Sequence, residues 1–174
     1  MSRENSPMPM FFRSSPTPEE HLDQSYLEES SDLYVGESGF KAQIFQVGVT
    51  GSLTRVVVKL WKPSGINDVT VKIQGVVDGL PNDEDILAFK HISGESLSTE
   101  SPGAEVEVVF STPPDVVNGT SYAIVFSVLG DGFYVRAKYP NGGYENGSSC
   151  ERDEANIWTQ RTGEDCYFKT YVTY

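Results

Sequence analysis

The last third of the chain alternates apolar and polar residues in short runs that are separated by turns rich in glycine and asparagine. The runs are TSYAIVFSVL from Thr120, FYVRAKY from Phe133 and CYFKTYVTY from Cys166. The turns between them lie at residues 130–132, 141–143 and 146–147. Alternation over this length is typical of strands with one buried face, and several such strands in series favour an antiparallel sandwich or barrel.

The same period of two extends back to Gly39. Between residues 69 and 74, for example, Val and Ile alternate strictly with Thr, Lys and Gln, the pattern of a half-buried strand. Eight or nine strands are predicted in all, and no helix is predicted among them. The fold class predicted for residues 39–174 is therefore all-β, an antiparallel two-sheet β-sandwich with a jelly-roll-like topology.

Residues 1–38 differ in composition and predict an extended N-terminal arm. The segment is acidic and contains four prolines, which interrupt helices and sheet ladders. A short helix at residues 19–27 is compatible with its proline and acidic start. An apolar group within it predicts a segment that docks on a partner, or alternatively one that folds back onto its own domain; the group is Met8, Met10, Phe11 and Phe12.

Charge and cysteine content narrow the partners and the compartment. A net charge of −12 disfavours binding to nucleic acid or anionic lipid, because phosphate neutralisation needs clustered Lys and Arg. No apolar run is long enough for a signal peptide or a membrane span, which predicts synthesis in the cytoplasm. The two cysteines, Cys150 and Cys166, leave a disulfide and two reduced thiols both open.

Catalytic and metal-binding patterns are weak. The histidines are His21 and His91 alone, and no G-x-S-x-G, H-E-x-x-H or C-x-x-C motif occurs, so we expect no enzymatic activity. Residues 82–85, Asp131 and residues 164–165 offer oxygen ligands that would suit a structural Ca²⁺. They lack EF-hand spacing and are better explained as solvated turns. No cofactor or metal is predicted.

Five aromatic residues are candidates for a ligand-binding platform, because exposed rings stack on sugar faces. Their alternative role is to cap the edges of the sandwich, and two or three rings grouped on one exposed face would favour the platform. The candidates are Trp61, Tyr134, Tyr139, Tyr144 and Trp158.

Several segments together resemble a known family. They include AQIF at residues 42–45, TGSLTRV at 50–56, NGTSYAIV at 118–125, YPNGG at 139–143 and DCYFKTY at 165–171. Over roughly residues 42–172 the chain is similar to jelly-roll modules of the carbohydrate-binding-module type, which recur in bacterial surface proteins and in structural proteins of phages and archaeal viruses.

The resemblance implies a non-catalytic structural or adhesive role. Combined with the predicted arm, it favours a virion protein that decorates the head, or forms part of a fibre, of a tailed virus. The arm would then contact other virion proteins, and the protein would be a homo-oligomer or bound to a lattice. The alternative is a carbohydrate-binding module or cell-surface adhesion domain, located outside the cell and binding glycans.

Overall fold

The computed structural model describes residues 18–65 and 67–174. The predicted docking residues Met8, Met10, Phe11 and Phe12 lie outside this part of the chain. Within it, the secondary structure consists of strands and one 3-10 turn at Gly94–Ser96. The strands are β1 (Glu20–Tyr26), β2 (Ser31–Val35), β3 (Phe40–Gln46), β4 (Gly51–Trp61), β5 (Val69–Val77), β6 (Leu80–Ile92), β7 (Ala104–Val109), β8 (Asp115–Val116), β9 (Ser121–Val128), β10 (Phe133–Lys138), β11 (Ser149–Arg152), β12 (Trp158–Arg161), β13 (Asp165–Cys166) and β14 (Phe168–Thr173). No helix of a length and apolarity suited to crossing a membrane occurs among the described residues.

The strands form two antiparallel sheets that pack face to face. The eight-stranded sheet runs β1-β14-β4-β10-β13, with β2 beside β10 and with β7 and β8 beside β4. The six-stranded sheet runs β12-β11-β3-β9-β5-β6. The predicted all-β, two-sheet sandwich is confirmed.

The core lies between the sheets and follows the predicted alternation. Val56, Val58 and Leu60 of β4 face Ile124 and Phe126 of β9, and all five side chains are fully buried. Burying an apolar side chain of this size contributes roughly 1.5–3 kcal/mol. Because successive side chains of a strand point to opposite faces, the burial of this row also fixes which residues of these strands point outward.

The N-terminal segment differs from the prediction. Residues 20–26 form β1, paired with β14 from Glu20↔Thr173 to Tyr26↔Phe168, and β2 pairs with β10. The short helix that the sequence of residues 19–27 would permit does not form, and the sheet begins well before residue 39. The open edge of β14 supplies backbone partners, and Thr170 Oγ1 accepts the Gln24 amide. These tertiary contacts outweigh the weak local helix signal.

Strand β6 also differs, because it starts at Leu80 inside the predicted polar loop. Its pairing with β5 skips residues 82–85, which lie between the pairs Gln74↔Ile86 and Val76↔Pro81. The Asp85 carboxylate lies directly over Gly75, where a Cβ would overlap it. We call residues 82–85 the acidic bulge.

The two cysteines are free and buried in separate apolar clusters. Cys166 lies in the core between the sheets, whereas Cys150 lies in a smaller cluster on the outer face of the six-stranded sheet. Burial raises the pKa of the Cys150 thiol to about 11 and raises that of Cys166 as well. Thiols protonated this firmly are poor nucleophiles.

Candidate functional site

Two of the five predicted aromatic residues meet on the outer face of the eight-stranded sheet. Trp61 and Tyr134 are paired across β4 and β10, and Tyr34 of β2 is paired with Tyr134 on its other side. The three rings therefore stand in one row across three strands. We call this row the aromatic ladder.

The ladder rings pack against one another. The Trp61 and Tyr134 rings are stacked with centroids 4.3 Å apart and planes inclined by 9°. Tyr34 meets Tyr134 edge-on at 5.4 Å and covers Gly132, where a Cβ would overlap its ring. Because Trp61 and Tyr134 turn a face towards each other, the ladder offers less open ring surface to a ligand than its composition suggests.

The other three predicted aromatic residues are scattered. Tyr139 is 49% exposed and lies outside the aromatic ladder. Tyr144 packs edge-on against Phe168 at 5.2 Å and donates to Gln24, and burial raises its pKa to about 12. Trp158 is 9% exposed. The structure thus brings together only Trp61 and Tyr134 of the predicted set.

Charged side chains on the same outer face are paired. Arg55 contacts Glu20 and Glu107, each at 2.9 Å, and lies 3.7 Å from the centre of the Tyr171 ring. Burial raises the pKa of Glu20, but hydrogen bonds from Thr54 and Arg55 outweigh it and leave that pKa below its usual value.

The pairing continues along this face. The remaining contacts join Lys59 to Glu29 at 2.8 Å, Arg136 to Asp32 at 3.1 Å and Lys169 to Glu105 at 2.7 Å. These cations are therefore already neutralised by the protein itself.

The outer face of the six-stranded sheet has a different shape. One complete row of paired residues crosses it in the order Gln160, Cys150, Ala42, Val125, Lys72 and Phe89. Small side chains occupy the centre of this row and large ones its β6 end. The outermost strands also touch, since Gln160 Nε2 of β12 donates to Gly79 O at the start of β6 at 3.0 Å. The sheet is therefore curled, and its outer face is concave.

One half of the concave face is covered. Trp158 folds over a buried cluster that includes Ala42, Val125 and Cys150. Its indole Nε1 donates to Asp83 of the acidic bulge at 3.2 Å. Arg152 Nε lies 3.1 Å from the same carboxylate, at an angle that makes an ion pair but not a hydrogen bond. The bulge and Trp158 thus close this half.

The other half is an open groove with a volume of about 340 Å³. Phe89 and Leu129 on its rim are 56% and 78% exposed. We call it the concave groove, and its lining includes Phe40, Thr70, Lys72, Phe89, His91, Ser127 and Leu129.

Polar groups in the groove lie beside its rings. Lys72 Nζ is 5.5 Å from the Phe40 ring centre, and the His91 ring is 5.3 Å from that of Phe89. His91 Nδ1 is hydrogen-bonded to Thr70 Oγ1 at 2.9 Å, which leaves its Nε2 free of that contact. Rings beside hydrogen-bonding groups are the elements from which saccharide sites are built.

Lys72 has no carboxylate within salt-bridge distance among the described residues. Burial lowers the pKa of Lys72. The negative charge of Asp83 acts to raise this pKa, and the positive charge of Arg152 lowers it further. Seven other cations of the described chain are in salt bridges, whereas Lys72 has none among the described residues and lies inside a groove.

The sequence prediction missed this groove. Thr70 and Lys72 were recognised only as the polar side of β5, and Phe89 only as part of a strand. The available signal was that Phe89 shares a face with His91, since large apolar residues on the polar side of a strand often mark a binding surface. The pairing of Phe89 with Lys72 depends on a β-bulge near Leu87, which the pattern does not reveal.

Among the described residues there is no group of three or more His, Cys, Asp or Glu side chains placed to hold a metal ion. In the acidic bulge, Asp83 is engaged by Arg152 and Trp158.

No family model matches the chain, and no curated protein matches it in sequence. Among solved structures, it is similar to the crystal structure of the cysteine protease and lectin-like domains of Cwp84, a surface layer associated protein of Clostridium difficile. The TM-score is 0.63 at 14% sequence identity, over 92% of this chain and 37% of that one. The chain thus spans just over a third of that protein, and at this identity the likeness establishes the fold.

This comparison fits the predicted β-sandwich fold. It lends no support to the virion role, the head decoration or the fibre position that the sequence first favoured. Those remain predictions.

Proposed function

We propose that this chain is a non-catalytic carbohydrate-binding domain of a surface protein, and that saccharides bind in the concave groove. The observation that carries the proposal is the groove itself, where the exposed Phe89 and the half-buried Phe40 flank hydrogen-bonding groups. The similar fold of a protein whose description includes a lectin-like domain supports it.

The geometry suits a sugar ring. Pyranoses present apolar C–H faces and a rim of hydroxyls, and therefore bind where a ring face adjoins donors and acceptors. Thr70, Ser127 and the free nitrogen of His91 supply such groups beside the two phenyl rings. The covered half of the face holds the groove in shape, because Trp158 and Asp83 link the two edges of the sheet.

The aromatic ladder is the competing location on the same molecule. Its rings stack on one another, and the cations around it are paired with carboxylates. We therefore assign it a structural role. Surface location follows from the proposal, while partners and oligomeric state stay predictions.

The test is a glycan array followed by titration calorimetry with any saccharide that binds. Phe89→Ala removes a ring from the groove, and Tyr34→Ala removes an equally exposed ring from the ladder, since both side chains are 56% exposed. We expect Phe89→Ala to weaken binding about tenfold, which is about 1.4 kcal/mol, and Tyr34→Ala to leave it unchanged.

The controls are melting temperatures of both variants. If neither variant changes the affinity, or if only Tyr34→Ala does, the groove is not the site. If the folded wild-type chain binds no saccharide on a broad array, the proposed function fails.

A further inference from the structure

Most cations of the described chain are satisfied within the protein. Seven of them form salt bridges, and the buried Lys62 donates to the carbonyl oxygen of Asp131. Lys72, Lys90 and Lys138 have no hydrogen bond or salt bridge from their ammonium groups among the described residues. Of these three, only Lys72 lines the concave groove.

The surroundings of Lys72 do not explain why a charge lies there. It is half-buried, it is paired with Phe89 across the strands, and the ring of Phe40 lies near its ammonium group. The Lys72 ammonium is not among the buried atoms without a partner, so solvent reaches it and a ligand can too. A methionine of similar length would cover the same apolar surface without a charge.

The acidic residue whose charge acts on Lys72 is committed elsewhere. Asp83 is bound by Arg152 and by the Trp158 indole. The groove therefore presents the Lys72 ammonium as a donor beside His91, while Asp83 faces another cation.

From these contacts we propose that the concave groove selects acidic saccharides. The ligand would be a uronic or sialic acid unit whose carboxylate is bound by Lys72 and whose sugar ring packs between Phe40 and Phe89. This inference rests on the proposed function and names the ligand class for the same site. The ligand carboxylate would supply the charge that Lys72 lacks, and a charge-assisted hydrogen bond is about twice as strong as a neutral one.

The experiment compares each acidic saccharide with its own methyl ester, which keeps the ring and hydroxyls but removes the charge. An array carrying uronate and sialate oligosaccharides in both forms, with neutral and sulfated sugars beside them, is probed with the full chain. We expect at least one acid to bind about tenfold more tightly than its ester.

The variants are Lys72→Met and Lys90→Met. Both remove one positive charge, and Lys90 is exposed on β6 next to Phe89 and His91 but does not line the groove. We expect Lys72→Met to abolish the preference for acid over ester and Lys90→Met to retain it. The melting temperature of Lys72→Met should not fall, because the ammonium has no hydrogen bond or salt bridge to lose within the described residues.

Five outcomes overturn the inference. Equal binding of acid and ester, or a preference that survives Lys72→Met, leaves the proposed function standing and removes the acidic selectivity. Loss of the preference in both variants assigns it to general surface charge. Stronger binding of sulfated than of carboxylated forms contradicts the ligand class. No binding to any sugar defeats the proposed function as well.

Discussion

The outer faces of the two sheets are built from similar residues, but they are organised in opposite ways. On the eight-stranded sheet, Trp61 and Tyr134 stack on each other and the neighbouring cations are paired with carboxylates. On the six-stranded sheet, Phe89 is exposed at the rim and Lys72 is unpaired within the described chain. On the first face most charged groups are paired within the protein, although the Trp61 indole nitrogen is buried without a hydrogen bond among the described residues. The second face leaves Phe89 and Lys72 available to a ligand. The difference indicates that an aromatic, charged surface becomes a binding site only where its groups are not already engaged with one another.

The largest expected effect on stability is at the aromatic ladder, on the outer face of the eight-stranded sheet. Trp61→Ala should lower the free energy of unfolding by about 2 kcal/mol, because it removes a half-buried indole and its stacking with Tyr134. Chemical denaturation measures this change in the free energy of unfolding. Phe89→Ala serves as the matched variant and should cost less than about 0.5 kcal/mol, since surface substitutions are mild. Equal losses in the two variants would contradict the distinction between the faces.

The closure of the concave face can be tested at the acidic bulge. Asp83→Ala leaves Arg152 and the Trp158 indole without their carboxylate and should cost about 1–2 kcal/mol. Glu84→Ala is the control, because the Glu84 side chain makes no hydrogen bond or salt bridge within the described residues. Thermal unfolding compares the two. A loss as large for Glu84→Ala would mean that Asp83 does not link the sheet edges.

The ladder also depends on a close approach to glycine. In Gly132→Ala a new Cβ would displace the Tyr34 ring, and we expect a loss of about 1 kcal/mol. The same substitution made together with Tyr34→Ala should cost almost nothing, because the obstructing ring is gone. A double-mutant cycle by denaturation measures this coupling. Additive losses would show that the backbone, and not Tyr34, requires glycine.

The smallest expected effect comes from the paired charges. Hydrogen bonds from Lys169 and Tyr167 lower the pKa of Glu105. A carboxylate whose pKa is lowered in the folded state stabilises the protein above its ordinary pKa, and that contribution is lost as the pH falls through the folded value. Glu105 is partly exposed, so the contribution should stay below about 1 kcal/mol.

Glu105→Gln should therefore be less stable than the wild type at pH 7 and nearly equal to it at pH 2–3. Thermal unfolding across that range checks the sign. The control is Glu145→Gln, which removes an exposed carboxylate in the loop before β11. A Glu105→Gln difference that is independent of pH would assign the effect to packing and not to charge.

Most strands were predictable because burial of one face imposes a period of two. In β5, Val69, Val71 and Ile73 are buried while Thr70 and Lys72 face outward, as their alternation predicts. By contrast, β1 has a mixed pattern (EHLDQSY), and its conformation depends on the free edge of β14. Its strand state therefore follows from a partner more than a hundred residues away, which local propensity cannot detect.

The candidate site was predictable only in part. The sequence identifies Trp61 and Tyr134 as aromatic candidates, but their stacking needs the exact pairing of β4 with β10. Phe89 and Lys72 become neighbours because a bulge at Leu87 sets the register of β6 against β5. A shift of one residue would reverse the face of every side chain beyond it, so the groove could not be derived from the pattern.

By itself, the sequence determined that this chain forms a β-sandwich and which residues of most strands point inward, because alternation and apolar burial are local properties. It did not determine which outward residues stay open. That was decided by strand order, register and the curl of the six-stranded sheet, which bring distant residues together. A side chain's availability to a ligand depends on whether such a neighbour already covers or pairs with it, and that is a property of the tertiary structure.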